Sequence, residues 1–283
     1  MIYILLALTA ALVTFQTILQ KVYNSRCAGG TILFSGMISF FAMLYFIAMN
    51  RDWSWNPAIL PYSIGFGTAY AAATVYAVLA IKHGSVAQTS LIGSFSLLIP
   101  TFYGILLLRE PIKGTLIIGI VLLAISMVLT NYEKSDKKAT LRWFVFVMLS
   151  FIGNGMCSTV QKAETLYIGT EGSSLFMIVA LAWAVILLAG ASVIIKEERE
   201  VWKITVKKGG MLALISGIAN GLCNYLVIYL NPQIPASVMF PVISAGGMVM
   251  IFIYALGVQK ERFKNYQYIG YAVGLISIVL LNL

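Results

Sequence analysis

The stretch EPIKGTLIIGIVLLAISMVLTN at residues 110–131 returns later in the chain as ERFKNYQYIGYAVGLISIVLLN at residues 261–282. Aligned without a gap, the two stretches are identical at nine of 22 positions. The shared residues include Glu, Lys, Gly, Ser and Asn, and hydrophobicity alone would not place these in the same register. The chain therefore contains an internal repeat.

A second similarity extends the repeat to the start of each copy. The dipeptide Gln20-Lys21 recurs as Gln161-Lys162, toward the end of the first apolar run of each copy. We therefore predict two five-helix repeats at 1–132 and 141–283, joined by a linker at 133–140. Because five is odd, the second repeat must enter a membrane upside down, which is a recurring architecture of secondary transporters.

Composition assigns the chain to the membrane. The 283 residues are 60% hydrophobic and 10% charged, with a mean hydropathy of +0.91, whereas soluble domains carry about 25% charged residues. Runs long enough to cross a bilayer as helices are continuous rather than alternating, which excludes a strand barrel. We predict an all-α integral membrane protein whose ten transmembrane helices lie near 2–22, 30–49, 61–82, 85–108, 114–132, 141–162, 173–195, 210–230, 234–258 and 266–283.

The positive charge lies between the helices. Of the 19 Lys and Arg residues, 15 lie around the loops that follow helices 1, 3, 5, 7 and 9, and the opposite side carries Arg51, Arg109, Lys113 and Lys162. By the positive-inside rule, this distribution predicts a cell-membrane protein with both termini outside. We therefore attribute the net charge of +9 to interactions with anionic lipid headgroups rather than with nucleic acid. We expect a monomer, with a dimer as the alternative.

Catalytic and metal-binding patterns are missing from the sequence. The cysteines, Cys27, Cys157 and Cys223, form no metal-binding motif, and His83 is the only histidine. All ten acidic residues fall in predicted loops or at predicted helix ends. We therefore predict no cofactor, no metal and no enzymatic activity, and a cavity without charge, because a buried charge within a membrane is costly.

Together the repeats and their motifs resemble the drug/metabolite transporter superfamily, in its ten-helix EamA-like family. The resemblance rests on Leu-Arg-Glu-Pro at 108–111, on Gln-Lys-Glu-Arg at 259–262 and on Gly119 and Gly270 nine residues after each Glu. It covers the whole chain, and it implies a pseudo-twofold transporter with a central cavity lined mainly by helices 1, 3, 4, 6, 8 and 9. Family members usually have cytoplasmic termini, and here the charge count predicts the reverse. The first helix also lacks the intramembrane Glu of related small multidrug antiporters.

Uncharged polar side chains at helical spacing predict the substrate site. Such residues in an apolar helix face another helix or a wet cavity rather than lipid. Amides and hydroxyls suit a neutral or zwitterionic metabolite, and aromatic faces suit a quaternary cation. The predicted substrate-binding residues are Gln16, Gln20, Tyr70, Gln88, Asn154, Ser158, Gln161, Asn220, Asn224 and Tyr225. For the same residues, hydrogen bonding between helices is the alternative role.

These patterns predict a secondary transporter of a small neutral, zwitterionic or quaternary metabolite, such as an amino acid or a choline-like compound. The alternative is a non-transporting scaffold or lipid-handling membrane protein, which would have a sealed core. Lys21 and Lys162 have two possible roles. They could each provide a cationic group for the substrate at one gate of the transporter, or their long side chains could reach the lipid headgroups. Glu110 is expected to favour the N-terminus of the fifth helix.

Overall fold

The structure is a computed structural model that describes residues 2–27, 29–51, 53–83, 89, 92–93, 95–131, 140–258 and 264–281. Within these residues the chain forms ten α-helices of nine residues or more. We number them in chain order as α1 Ile2–Arg26, α2 Thr31–Met49, α3 Ile59–His83, α4 Leu98–Leu106, α5 Gly114–Asn131, α6 Leu141–Tyr167, α7 Ser173–Ile194, α8 Trp202–Leu230, α9 Ala236–Gly257 and α10 Asn265–Leu281. A 3₁₀ turn at Phe95–Leu97 precedes α4, and a short helix at Lys196–Glu200 precedes α8.

Seven of these helices, namely α1, α2, α3, α6, α7, α8 and α9, are long and apolar enough to cross a membrane. The segments Phe95–Leu106, Gly114–Thr130 and Asn265–Leu281 are shorter apolar helices. The part of the chain that the structure describes contains no strand. The molecule is therefore an all-helical, multi-pass membrane protein.

Two described helix boundaries differ from the sequence prediction by five residues or more. The sixth helix continues past residue 162 to Tyr167, because the next break comes at Gly169, which has a positive φ of 96°. Glu164, predicted to follow the helix, therefore lies inside α6 and is fully buried. The eighth helix begins at Trp202 rather than at 210, so its first turns carry lysines that hydropathy assigns to a loop. Most of the predicted linker and the start of the predicted fourth helix lie outside the described residues.

Helices from opposite halves of the sequence pack together. We call α1, α2, α8 and α9 bundle I, in which α8 packs on α1 and α2, and α9 packs on α1. We call α3, α4, α6 and α7 bundle II, in which α3 packs on α6 and α7, and α4 packs on α6. The bundles meet where α2 packs on α7 and α4 packs on α9, while α5 packs mainly on α10.

The helix ends lie at two faces of the molecule. Face A carries the start of α1, the end of α10 and the loops 107–113, 168–172 and 231–235. Glu110 contacts Ala236, one pocket joins Ile2 to Leu281, and another joins Thr170 to Pro232. Face B carries the end of α1 and the segment 195–201, since Glu198 contacts the start of α2. Most of the described lysines and arginines lie toward face B.

Glycines allow the close approach of the helices within each bundle. A Cβ atom added to Gly153 of α6 would lie 2.7 Å from the Ala69 carbonyl oxygen of α3. A Cβ atom added to Gly217 of α8 would lie 2.8 Å from the Ile38 carbonyl oxygen of α2. Only glycine permits backbones to approach this closely, as is common between membrane helices.

Two carboxylates satisfy amide groups at helix N-termini far away in the sequence. Glu110 accepts hydrogen bonds from the Ala236 and Ser237 amides of α9 at 2.7 and 2.9 Å. Glu198 accepts one from the Ile32 amide of α2 at 2.9 Å. The prediction that Glu110 serves the start of the fifth helix is wrong, because its side chain turns to the free amides of α9. Both contacts place a negative charge at the positive end of a helix dipole.

Candidate functional site

A polar cavity of about 300 Å³ lies among the middle turns of the helices. Its wall comes from α1, α3, α6 and α8, and α7 contributes Leu181. A second chamber, described below, adds α9 and the segment just before α4. These are the six helices that the resemblance implies, together with α7. No charged side chain lines either chamber among the described residues. The lining residues of the first chamber are Val13, Gln16, Thr17, Phe66, Tyr70, Asn154, Cys157, Ser158, Gln161, Leu181, Asn220, Cys223 and Asn224.

Four side-chain amides form a hydrogen-bonded row across this cavity, which we call the amide row. The Gln161 side chain donates to Oδ1 of Asn224 at 3.3 Å, and the Asn224 side chain donates to Oδ1 of Asn220 at 3.1 Å. Asn220 in turn donates to Gln16 at 2.8 Å. The row connects α6 through α8 to α1, so it joins bundle II to bundle I. Each amide group has two N–H donors and two acceptor sites, so the row retains capacity for a ligand.

Apolar and weakly polar groups form the rest of the wall. The rings of Phe66 and Tyr70 lie nearly parallel on α3, with centroids 6.4 Å apart. The Cys157 thiol donates to the Phe66 carbonyl oxygen at 3.9 Å, and Cys223 lies on α8 beside the amide row. An apolar wall with a few directed amides is the usual composition of a small-molecule pocket.

A second chamber of about 310 Å³ continues the first one, since both are lined by Val13, Asn154 and Ser158. Its further lining comes from the 3₁₀ turn before α4 and from α9, which supplies Ser244. Asn154 donates to the Ser96 hydroxyl at 2.7 Å and so ties α6 to this turn. The two chambers are therefore adjacent and share part of the wall that α1 and α6 form.

Seven of the ten predicted site residues line the cavity: Gln16, Tyr70, Asn154, Ser158, Gln161, Asn220 and Asn224. Gln20 does not, because it lies a turn beyond Gln16 and donates instead to Asn24 of its own helix at 3.0 Å. Tyr225 does not either, because it is 41% exposed and lines a separate pocket with Tyr229. Gln88 lies outside the described residues. A substrate-binding role for the seven remains a prediction.

Sequence reasoning missed two kinds of cavity residue. Cys157 and Cys223 looked like ordinary apolar positions, although each stands one residue from a predicted polar one, Ser158 and Asn224. Thr17, which follows Gln16 in α1, also lines the chamber and is not among the predicted residues. Their helical spacing was visible in the sequence, but apolar and weakly polar side chains give no signal that separates a cavity wall from a packed core.

A group of buried polar side chains lies between the cavity and face A. Lys162 is only 3% exposed, and its ammonium donates to the main-chain carbonyls of Asn231 and Ile234, the latter at 2.7 Å. Asn231 in turn donates to the Gln161 carbonyl oxygen at 3.3 Å and to the Thr165 hydroxyl at 3.2 Å. These bonds join the end of α6 to the turn between α8 and α9. Lys162 directly follows Gln161, so the contact lies next to the amide row.

The fold and the cavity define a multi-pass helical membrane protein with a polar central chamber, whose described lining carries no charged side chain. No protein-family model and no curated protein matches the chain. The chain is similar to a solved structure described only as a crystal structure of a protein, with a TM-score of 0.75 over 98% of this chain and 94% of the other. At 14% sequence identity, this similarity shows a shared fold that spans both halves.

Proposed function

We propose that the protein is a secondary transporter that moves a small neutral, zwitterionic or quaternary metabolite across the membrane by alternating access. The observation that carries the proposal is the amide row in a chamber at the middle of the helices, reached by both halves of the sequence. A transport site needs a polar surface at mid-membrane between two bodies that move against each other. The drug/metabolite transporter resemblance is part of the same proposal.

The packing of α5 on α10 supports the inverted-repeat arrangement. An added Cβ on Gly119 would meet the Leu281 amide nitrogen at 3.2 Å, and one on Gly270 would meet that of Thr130 at 3.1 Å. The offset of 151 residues that aligns the two repeats places Gly119 on Gly270 and Thr130 on Leu281. The two contacts are therefore equivalent. The start of α5 lies against the end of α10, so these two equivalent helices are antiparallel. Antiparallel packing of equivalent helices fits a pseudo-twofold axis in the plane of the membrane, as in inverted repeats.

The chemistry of the lining favours a neutral or zwitterionic substrate, or a quaternary cation held by aromatic faces. A carboxylate or a protonated amine in a low-dielectric site needs a charged partner or a full set of hydrogen bonds, whereas a quaternary ammonium group can lie against aromatic faces instead. The chamber offers amides, a hydroxyl, thiols and two parallel aromatic rings. Its 300 Å³ lies at the lower end of the range of about 300–1,000 Å³ for ligand pockets. An amino-acid-sized zwitterion or a quaternary ammonium compound matches this lining.

The alternative function, a non-transporting scaffold or lipid-handling protein, predicts a sealed apolar core. In that case the polar side chains would be used up in bonds between helices. The lining of both chambers by Asn154 and Ser158 instead favours a passage for a solute.

The test begins with the purified protein and a panel of amino acids, betaines and choline-like compounds. A ligand at about 100 times its Kd raises apparent stability by roughly 2.7 kcal/mol. Flux of the best stabiliser is then measured in proteoliposomes. We expect Asn220→Leu and Asn154→Leu each to lower flux about tenfold or more, because each removes a directed amide from the chamber.

Asn265→Leu, an equivalent change at an exposed position of face B, should leave flux unchanged. Full flux in both cavity variants would refute this site. If no compound in the panel stabilises the protein or crosses the bilayer, the proposed substrate class is wrong.

A further inference from the structure

Glu164 is an acidic side chain enclosed within the protein rather than exposed at a helix end. It lies in the last turn of α6 and is fully buried. Among the described residues, its carboxyl oxygens contact only two hydroxyl groups, that of Ser173 at 3.0 and 3.2 Å and that of Thr165 at 3.4 Å. A carboxylate buried without a cation is costly, whereas the same group with a bound proton is neutral.

The ionisable groups around the end of α6 make their contacts elsewhere. Lys162 bonds to the carbonyls of Asn231 and Ile234, Glu110 bonds to the start of α9, and Glu171 is exposed in the loop before α7. Helix α7 has no ionisable side chain. The others at this end of the neighbouring helices are tyrosines, which are neutral at about pH 7, namely Tyr62 of α3, Tyr103 of α4, Tyr167 of α6, and Tyr225 and Tyr229 of α8.

The hydrogen bonds around Glu164 lack one hydrogen unless the carboxyl group carries it. The Ser173 hydroxyl lies 3.1 Å from the Gly169 carbonyl oxygen as well as near Glu164, and the Thr165 hydroxyl lies 2.9 Å from the Gln161 carbonyl oxygen. Because each hydroxyl has a single hydrogen to donate, two hydrogens are shared among three acceptors. A proton on Glu164 supplies the third hydrogen, since the carboxyl group can then donate to Ser173, and Ser173 to Gly169.

Ser173 also connects this site to face A. It lines a pocket of about 360 Å³ between the start of α7 and the end of α8. Hydroxyl, phenol and amide groups of Thr170, Ser174, Tyr225 and Gln233 share the wall, and a roomy polar pocket of this kind can hold water. A proton from face A therefore reaches Glu164 through a single hydroxyl group.

The contact between α6 and α7 that holds Glu164 also holds the first amide of the amide row. Glu164 follows Gln161 by three residues, so the two lie on neighbouring turns of one helix face. On α7 one turn separates Ser173 from Met177, and Gln161 donates to the Met177 sulfur at 3.9 Å. A change in the bonds of Glu164 therefore acts on the two helix turns that position Gln161 in the chamber.

We propose that Glu164 is a proton-binding site, loaded from face A, and that this proton is the coupling ion of the transporter. The coupling rests on the proposed transport function, whereas the proton site does not. With the proton bound, the carboxyl group is neutral and every nearby acceptor has a donor. Without it, the carboxylate competes for the Ser173 and Thr165 hydrogens and disturbs the turn that carries Gln161. Proton and substrate binding are then linked, and such linkage is reciprocal.

Infrared spectroscopy of the full chain in detergent tests the proton site without a substrate. A protonated carboxyl group has an absorption band of its own, to which an exposed Glu, ionised at about pH 7, contributes nothing. The spectrum of the parent minus that of Glu164→Gln should contain this band with the intensity of about one carboxyl group. Glu171→Gln, which changes an exposed acid of the same face, should give no band. Absence of the band from the Glu164→Gln difference would overturn the proton site.

Ser173→Ala provides a second route if Glu164→Gln fails to fold, because it keeps the acid and removes its hydroxyl partner. The carboxyl band should then move, since its frequency depends on the hydrogen bond that the group makes. Ser174→Ala, which changes the next residue in the wall of the same pocket, should leave the band in place. An unmoved band in Ser173→Ala would contradict the assignment to Glu164.

Accumulation in proteoliposomes tests the coupling, with the best stabiliser of the compound panel as the transported probe. A gradient of about one pH unit should produce up to about a tenfold concentration ratio in the parent if one proton moves per substrate, because the two gradients then have equal free energy. Glu164→Gln should show no such accumulation, and a parent that ignores the gradient would refute the coupling. A band without any flux removes the transport function and leaves the proton site, whereas flux without the band removes only the proton site.

Discussion

Replacement of Glu110 by alanine should loosen the first turn of a helix that lies 126 residues further along the chain. Glu110 accepts three hydrogen bonds there: from the Ala236 amide at 2.7 Å, from the Ser237 amide at 2.9 Å and from the Ser237 hydroxyl at 2.6 Å. With alanine at 110, two amides at the start of α9 lose their acceptor. Because α9 lines the second chamber, the change also weakens one wall of the site.

The size of the effect follows from these contacts. A hydrogen bond to a charged group contributes about 1.5–3 kcal/mol, and loss of a helix cap costs about 0.5–2 kcal/mol. The three bonds share one carboxylate that is half-buried, so their contributions overlap rather than add. We expect a local cost of about 2–4 kcal/mol, which corresponds to roughly 30- to 900-fold faster amide exchange at the start of α9.

Hydrogen–deuterium exchange with mass spectrometry measures this directly in detergent-solubilised protein. Peptides that cover Ala236 and Ser237 should exchange faster in Glu110→Ala, while peptides from α7 keep the rate of the parent. Glu171→Ala removes an exposed carboxylate from the same face and serves as the control. Equal exchange at the start of α9 in Glu110→Ala and Glu171→Ala would show that the carboxylate does not cap this helix.

Two further predictions concern packing and topology. Gly153→Val should shorten the thermal half-life of the purified protein, because its Cβ would lie 2.7 Å from the Ala69 carbonyl oxygen and overpacking costs about 1–3 kcal/mol. Gly190→Ala, where nothing lies within 4 Å of the added carbon, should not, and equal half-lives would refute the close α3–α6 contact. Cysteines at Leu107 and Lys264 should label from opposite sides of sealed vesicles, and labelling from one side would remove the inverted-repeat proposal.

The sequence predicts more of the cavity than of the contacts beside it. Asn154, Ser158 and Gln161 share a helix face by their spacing, and so do Asn220 and Asn224, and both faces do meet at the chamber. Spacing says which residues share a face but not which helix lies opposite. Gln20 shares the face of Gln16 and still falls outside the chamber, because it lies one turn nearer the end of α1.

Contacts between distant segments were not predictable from local pattern. Nothing near Glu110 indicates that its carboxylate reaches α9 rather than α5, since both helices begin close to it in space. The apolar pattern predicts that Glu164 lies beyond the end of the sixth helix, yet Ser173 donates to its carboxylate at 3.0 Å and allows it to be buried within the helix. For Glu110 a partner 126 residues away decides the position of the charge, and for Glu164 a partner nine residues away at the start of the next helix does.

The exchange of helices between the halves has a consequence for biosynthesis. Within the bundles α1 packs on α8 and α9, and α3 packs on α6, so these helices of the first half have their main partners in the second. When the first five helices have left the ribosome, their small and polar surfaces still face lipid or one another. We expect the nascent chain to depend on prompt synthesis of α6 to α9, and a stop within the linker to leave a product that membrane quality control removes.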